Sequence, residues 1–194
     1  MEKMRRSGKG STVKIAEQVH MLESCIENPS DGLPEEIFLF ISRITPLVNV
    51  DLLIKNEQHQ TLLTWRDDGY YPPSWHIPGG IIRYKETAFD RIKAVALNEL
   101  GTEVTFKSEP VAINEVIHPL REVRGHFISL LYECSIAAPL DEGLRYKKGS
   151  PTAGHWAWHS KCPHNIIPVH EMYRNYIQPV PPRDKKIKGR QPLC

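Results

Sequence analysis

A chain of 194 residues, 40% hydrophobic and 25% charged, suits one globular domain with a sizeable core and trimmings at its ends. The formal net charge of +2 is uneven: about +3 sits in the first ten residues and about +4 in the last sixteen, so the body is mildly acidic. That balance reads the basic ends as solvated tails rather than as nucleic-acid or membrane-surface elements.

In chain order, Val13, Ile15, Ala16, Val19, Leu22 and Ile26 fall on one face of a short helix over 12–27. The stretch NPSDGLP breaks it, and Pro34 opens a second helix to about Ile44. Strands are expected at Leu47–Ile54 and Thr61–Trp65, around the polar turn KNEQHQ. The Pro/Gly-rich GYYPPSWHIPGG reads as a loop, followed by the strongest helix, Glu86–Leu100, stopped by Gly101. Further strands are expected near Val104–Phe106, Val111–Ile117 and His126–Ile136, then a turn-rich segment, the short strand HWAWH and a last helix over about Val169–Ile177. The sum is an α+β fold, a mixed β-sheet sandwiched between helices.

Four dispersed cysteines (Cys25, Cys134, Cys162 and Cys194) form no CxxC pair, which argues for reduced thiols in a cytoplasm. No signal peptide follows Arg5 and Arg6, and no apolar run reaches the roughly 18 residues of a membrane span. QPLC does not make a prenylation signal, because Cys194 is last.

The chemistry is concentrated in GGIIRYKETAFDRIKAVALNELG, Gly79 to Gly101. A glycine pair lets backbone approach a ligand or metal, and a carboxylate beside a peptide carbonyl suits Mg²⁺ on a diphosphate. The spacing of Gly80, Glu86, Glu99 and Gly101 resembles the Nudix box, Gly, five residues, Glu, seven residues, then Arg-Glu-apolar-x-Glu-Glu-x-Gly-apolar. The box Arg-Glu is here Ala94-Val95, and the first of the paired glutamates is Asn98. Two of these losses are shared by the GDP-mannose mannosyl hydrolase branch. TPLVNVDLLIKN, LLTWRDDGYYPPSWHIPGG and VHEMYRNY also resemble that branch, so the likeness spans most of residues 34–177.

The resemblance implies a Nudix fold over 31–178, between an N-terminal extension (1–30) and a basic Pro-rich tail (179–194). It implies Mg²⁺, with Mn²⁺ as the alternative, held by the Gly79 carbonyl and Glu99. Asp51, Arg66 and His118 match polar active-site positions, with Arg66 toward the leaving diphosphate. The implied reaction is water attack at the anomeric carbon of a nucleoside diphosphate sugar, by a homodimer.

Three departures stand against this. The arginine after the glycine pair is Ile81, with Arg83 two residues on as a substitute for binding substrate. The box arginine is Ala94, and Lys93, seven residues after Glu86, is the expected replacement partner. The Gln-His that supplies a ligand and the general base falls on Thr152-Ala153, leaving His155 as a displaced base. Trp75 is read mainly as packing, with base stacking as its alternative. HWAWHSKCPH holds His155, His159, Cys162 and His164, but lacks the paired spacing of zinc motifs. Three functions are therefore carried forward: a nucleotide-sugar hydrolase, a Nudix-like binder with weak turnover, and a hydrolase cutting within the diphosphate.

Overall fold

The computed structural model describes residues 8–178, with side chains from residue 14. The basic start and the Pro-rich tail lie outside the described residues. Contacts divide the chain into two compact units, and the chain leaves the first after Leu52, re-enters it at Pro78 and leaves again after Asp141.

The first unit holds α1 (Gly8–Ser24), α2 (Glu35–Ile44), most of β1 (Leu47–Ile54), β4 (Gly79–Ile81), α3 (Ala88–Leu100), β5 (Val104–Phe106), β6 (Ala112–Ile117) and β7 (His126–Ile136). Its five-stranded sheet runs β4-β1-β7-β5, with β6 also on β7. The second unit holds β2 (Thr61–Arg66), β3 (Ser74–His76), β8 (Trp156–His159), two short 3₁₀ turns and α4 (Arg174–Ile177); its sheet runs β3-β2-β8. The α+β class and several strand bounds agree with expectation, but the strands divide between two sheets. Between β1 and β2 the chain turns through an isolated Lys55–Thr61 bridge, with Asn56 N donating to Gln60 O at 3.1 Å and Lys55 Nζ donating to Thr61 Oγ1 and to the carbonyls of Tyr176 and Ile177.

The first helix is Gly8–Ser24 rather than 12–27, and three further boundaries differ for local reasons. The stretch 69–80 is not all loop: Trp75 pairs with Trp65, and Gly80 with Val50, giving β3 and β4. Helix α3 begins at Ala88, because Thr87 is its N-cap and accepts from Asp90 N at 3.1 Å. It ends on Gly101 at φ 62°, whose N–H reaches Leu97 O at 3.0 Å, a left-handed position that suits glycine. The expected last helix is a 3₁₀ turn, Pro168–Tyr173, followed by one turn of α-helix.

The core of the second unit contains a histidine pair around the backbone N–H and carbonyl of one residue, Ile77. His76 Nδ1 donates to Ile77 O (2.9 Å), so its Nε2 accepts from Thr64 Oγ1 (2.9 Å); Ile77 N donates to His170 Nδ1 at 3.1 Å. Burial, reinforced by nearby positive charge, pushes both imidazoles down to about 3. They are neutral when folded and protonate once unfolded, so stability is full above pH 6.5 and falls as pH drops toward 3. Each contributes a slope of up to about 1.4 kcal/mol per pH unit. Thermal melts between pH 7.5 and 4.5 should show a steep decline, flattened in His170→Asn. A constant melting temperature across that range would contradict the buried neutral pair.

Candidate active site

In the first unit the two glycines have separate tasks. Gly79 lies opposite Asp51 in the β1–β4 ladder. A Cβ there would overlap Asp51 Oδ1 and come within 2.9 Å of the Val50 carbonyl. At Gly80 a Cβ would meet Val95 Cγ2 at 2.8 Å, so this glycine lets β4 lie on α3. Helix α3 buries Ile92, Val95, Ala96 and Leu100, which fixes its angular setting. Glu99 is then carried back to β4, where its Oε1 accepts from Gly79 N at 3.3 Å. Asp51, 2% exposed, accepts from Asn49 Nδ2 (3.1 Å) and from the Ser129 hydroxyl. Two carboxylates are thus brought to one glycine.

Glu86 anchors the connection between β4 and α3. It accepts from Arg83 N at 2.9 Å and from Arg91 Nε at 2.8 Å, and Arg91 Nη2 lies 2.7 Å from the same oxygen. Arg91, 6% exposed, therefore holds the place expected for Lys93, which is solvent-exposed. The seven-residue angular argument fails because Glu86 precedes the helix. Measured from a loop position, the inward-facing residue near the start of α3 is the one within reach.

Arg83 is exposed, and its Nη1 donates to Ser30 O at 3.3 Å. Asn98 is exposed. The His118 backbone N–H donates to Gly125 O at 2.7 Å, and its buried ring Nδ1 has no partner among the described residues.

In the second unit, Arg66 ends β2 with its Nε donating to Asp68 Oδ2 at 2.6 Å and its guanidinium 6.0 Å above Tyr71. Trp75 is 5% exposed, with Trp65, Tyr146 and His159 edge-on at 5.3, 5.7 and 4.7 Å. A ring so enclosed packs and offers no stacking platform, which corrects the binding alternative for this residue. Thr152-Ala153 forms a turn in which His155 Nδ1 accepts from Thr152 N at 3.0 Å. This leaves Nε2 as the N–H of the neutral ring. Among the described residues, no three His, Cys, Asp or Glu side chains gather as a metal centre, so the HWAWHSKCPH residues do not converge. Cys25, Cys134 and Cys162 are free thiols.

Asn49, Ser129 and Arg91 were not singled out from sequence. The period of a strand places Asn49 beside Asp51, and that signal was available. Ser129 lies 80 residues from Asn49 and needed the sheet order.

No protein-family model matches the chain. It is 30% identical over 114 residues to the low-salt glycan biosynthesis protein Agl8 of Haloferax volcanii, covering 57% of this chain and 72% of that protein. The chain belongs to the family of that glycan biosynthesis protein. Among solved structures, the MutT protein of Methanosarcina mazei Go1 superposes with a TM-score of 0.51 at 15% identity, covering 69% of this chain and 92% of its own. A UDP-X diphosphatase gives 0.50 at 12% identity, covering 86% and 89%. At such identities the likeness is one of fold, and the fold is the Nudix fold. Among the described residues of this family member, no helix is long and apolar enough to cross a membrane.

Proposed function

We propose that the chain is a hydrolase of a nucleoside diphosphate sugar of the GDP-mannose type, working as a cytoplasmic homodimer. Water attacks the anomeric carbon, the glycosidic carbon–oxygen bond breaks, and free sugar and an intact nucleoside diphosphate leave. The observation that carries this reading is the approach of Glu99 to the Gly79 peptide, where a side chain on Gly79 would overlap Asp51. The relative's place in glycan biosynthesis accords with an activated sugar as substrate.

The residues fit a divalent cation. A peptide carbonyl and one or two carboxylates are hard oxygen donors, and Mg²⁺ takes a small set of these together with substrate phosphates. Gly79 O and Glu99 would hold Mg²⁺ or Mn²⁺, which supplies positive charge against the charge developing on the leaving diphosphate. By the resemblance alone, Arg66 would direct its positive charge toward that diphosphate. Asp51 and His118 would orient polar groups of the substrate. Val95 and Asn98 stand where carboxylates would serve multi-metal chemistry, which disfavours cleavage within the diphosphate.

A second reading, binding with weak turnover, is favoured by one observation: neither Thr152 nor Ala153 can take a proton, and Nδ1 of His155 is already engaged. Product analysis with Mg²⁺ and GDP-mannose distinguishes the readings. Free mannose plus GDP is the expected outcome; mannose phosphate plus GMP would indicate cleavage within the diphosphate. Thermal stabilisation without products would establish the binder. If His155 is the displaced base, His155→Ala should slow release of GDP at least about a hundredfold.

A further inference from the structure

Ser129 lies in a polar row across the five-stranded sheet. It stands directly opposite Asn114 in the β6–β7 ladder, so their side chains share a face. On the other side, Ser129 Oγ accepts from Asn49 Nδ2 at 3.0 Å and donates to Asp51 Oδ2. Asp51 in turn faces Gly79.

The neighbouring groups fix the orientation of Asn49. A carboxylate only accepts, so the amide turns its NH₂ to Asp51 Oδ1 and Ser129 Oγ; the reverse orientation would set its carbonyl against the carboxylate. Its Oδ1 is left buried, with no donor among the described residues. Asn114 Nδ2 is the complementary case, a buried donor without an acceptor among the described residues. Buried polar groups are nearly always paired, and an unpaired one carries its desolvation cost in full. Here an unpaired acceptor and an unpaired donor flank one serine, beside the carboxylate and glycine assigned to the reaction.

We propose that Asn49 and Asn114 bind the sugar of the nucleotide sugar through its hydroxyls, while Ser129 is a positioning residue that holds the Asp51 carboxylate. A hydroxyl both donates and accepts, so neighbouring sugar hydroxyls satisfy Asn49 Oδ1 and Asn114 Nδ2 together. The diphosphate only accepts and cannot satisfy Asn49. The terminal torsion of an amide side chain is soft, so Asn114 turns its Nδ2 to the ligand, while a small rotation exposes Asn49 Oδ1 with its NH₂ still on Asp51 and Ser129. This inference deepens the nucleotide-sugar reading and rests on it.

Calorimetric titration with Mg²⁺ and either GDP-mannose or GDP tests it. Asn49→Ala and Asn114→Ala should each weaken GDP-mannose binding roughly tenfold and leave GDP binding unchanged. Asn114→Ala should melt no lower than the unaltered protein, since it removes an unpaired group. Should Asn49→Ala fail to fold, Asn114→Ala and the donor-free Asn114→Asp decide. Ser129→Ala should lower kcat with KM held, and Ser129→Thr should restore it. If the unaltered protein binds GDP-mannose and the asparagine variants bind it equally well, the inference is overturned while the nucleotide-sugar reading stands. If the unaltered protein binds neither compound, that reading falls and the inference falls with it.

Discussion

Glu99→Gln should leave the protein folded and nearly inactive. Glutamine keeps an Oε1 that can accept from Gly79 N, so the 3.3 Å link between α3 and β4 is retained. On the proposed function, what is removed is the negative charge that would be offered to a divalent cation. Lewis-acid stabilisation of a leaving diphosphate is worth several kcal/mol, so kcat should fall on the order of a hundred- to a thousandfold. The melting temperature in the absence of metal should stay within a few degrees, because Glu99 is half-buried and keeps its hydrogen bond. Added Mg²⁺ should stabilise the unaltered protein and not the variant. Full activity in Glu99→Gln would remove this residue from the cation site.

Arg91→Ala should have the largest effect on stability. The Arg91 and Glu86 side chains are 8% and 16% exposed, and their ion pair is short. Removing one partner of a buried pair leaves the other charge uncompensated, at a cost of about 3–5 kcal/mol. For a domain of this size, each kcal/mol corresponds to roughly 2–4 °C of melting temperature. Activity should fall as well, because Glu86 also accepts from Arg83 N and so shapes the connection that leads from β4 into α3. Arg91→Lys keeps the charge but not the planar fork, and should recover only part of the loss. Lys93→Ala, on the solvent side of α3, should change stability by less than about half a kcal/mol. A comparable loss in both variants would show that the pairing with Glu86 is not what matters.

Arg91 also shows where sequence reasoning stops. Ala94 marks the missing arginine, and periodicity along a helix points to Lys93 as its substitute. That inference assumes Glu86 is helical. The choice of Thr87 as N-cap, settled by its bond to Asp90, places Glu86 outside the helix and makes an earlier residue its neighbour. Trp75 is a second example. Its position before the glycine pair left stacking open, and the rings of Trp65, Tyr146 and His159 closed it.

Local rules were enough for much of the chain. β1, β5 and β7 are legible because apolar, β-branched runs end at turn residues. Helix α3 is legible because its apolar face repeats and a glycine stops it. The motif from Gly79 to Gly101 was legible too, because backbone approach requires glycine and a cation requires a carboxylate at a set spacing. Each of these depends on residues close together in the chain. The tertiary structure alone decided that the strands divide between two sheets, and that Arg91 rather than Lys93 pairs with Glu86. It also set Asn49, Ser129 and Asn114 in one polar row. Those outcomes depend on which distant strands pair and in what register, and a one-residue slip would turn the same side chains to the opposite face.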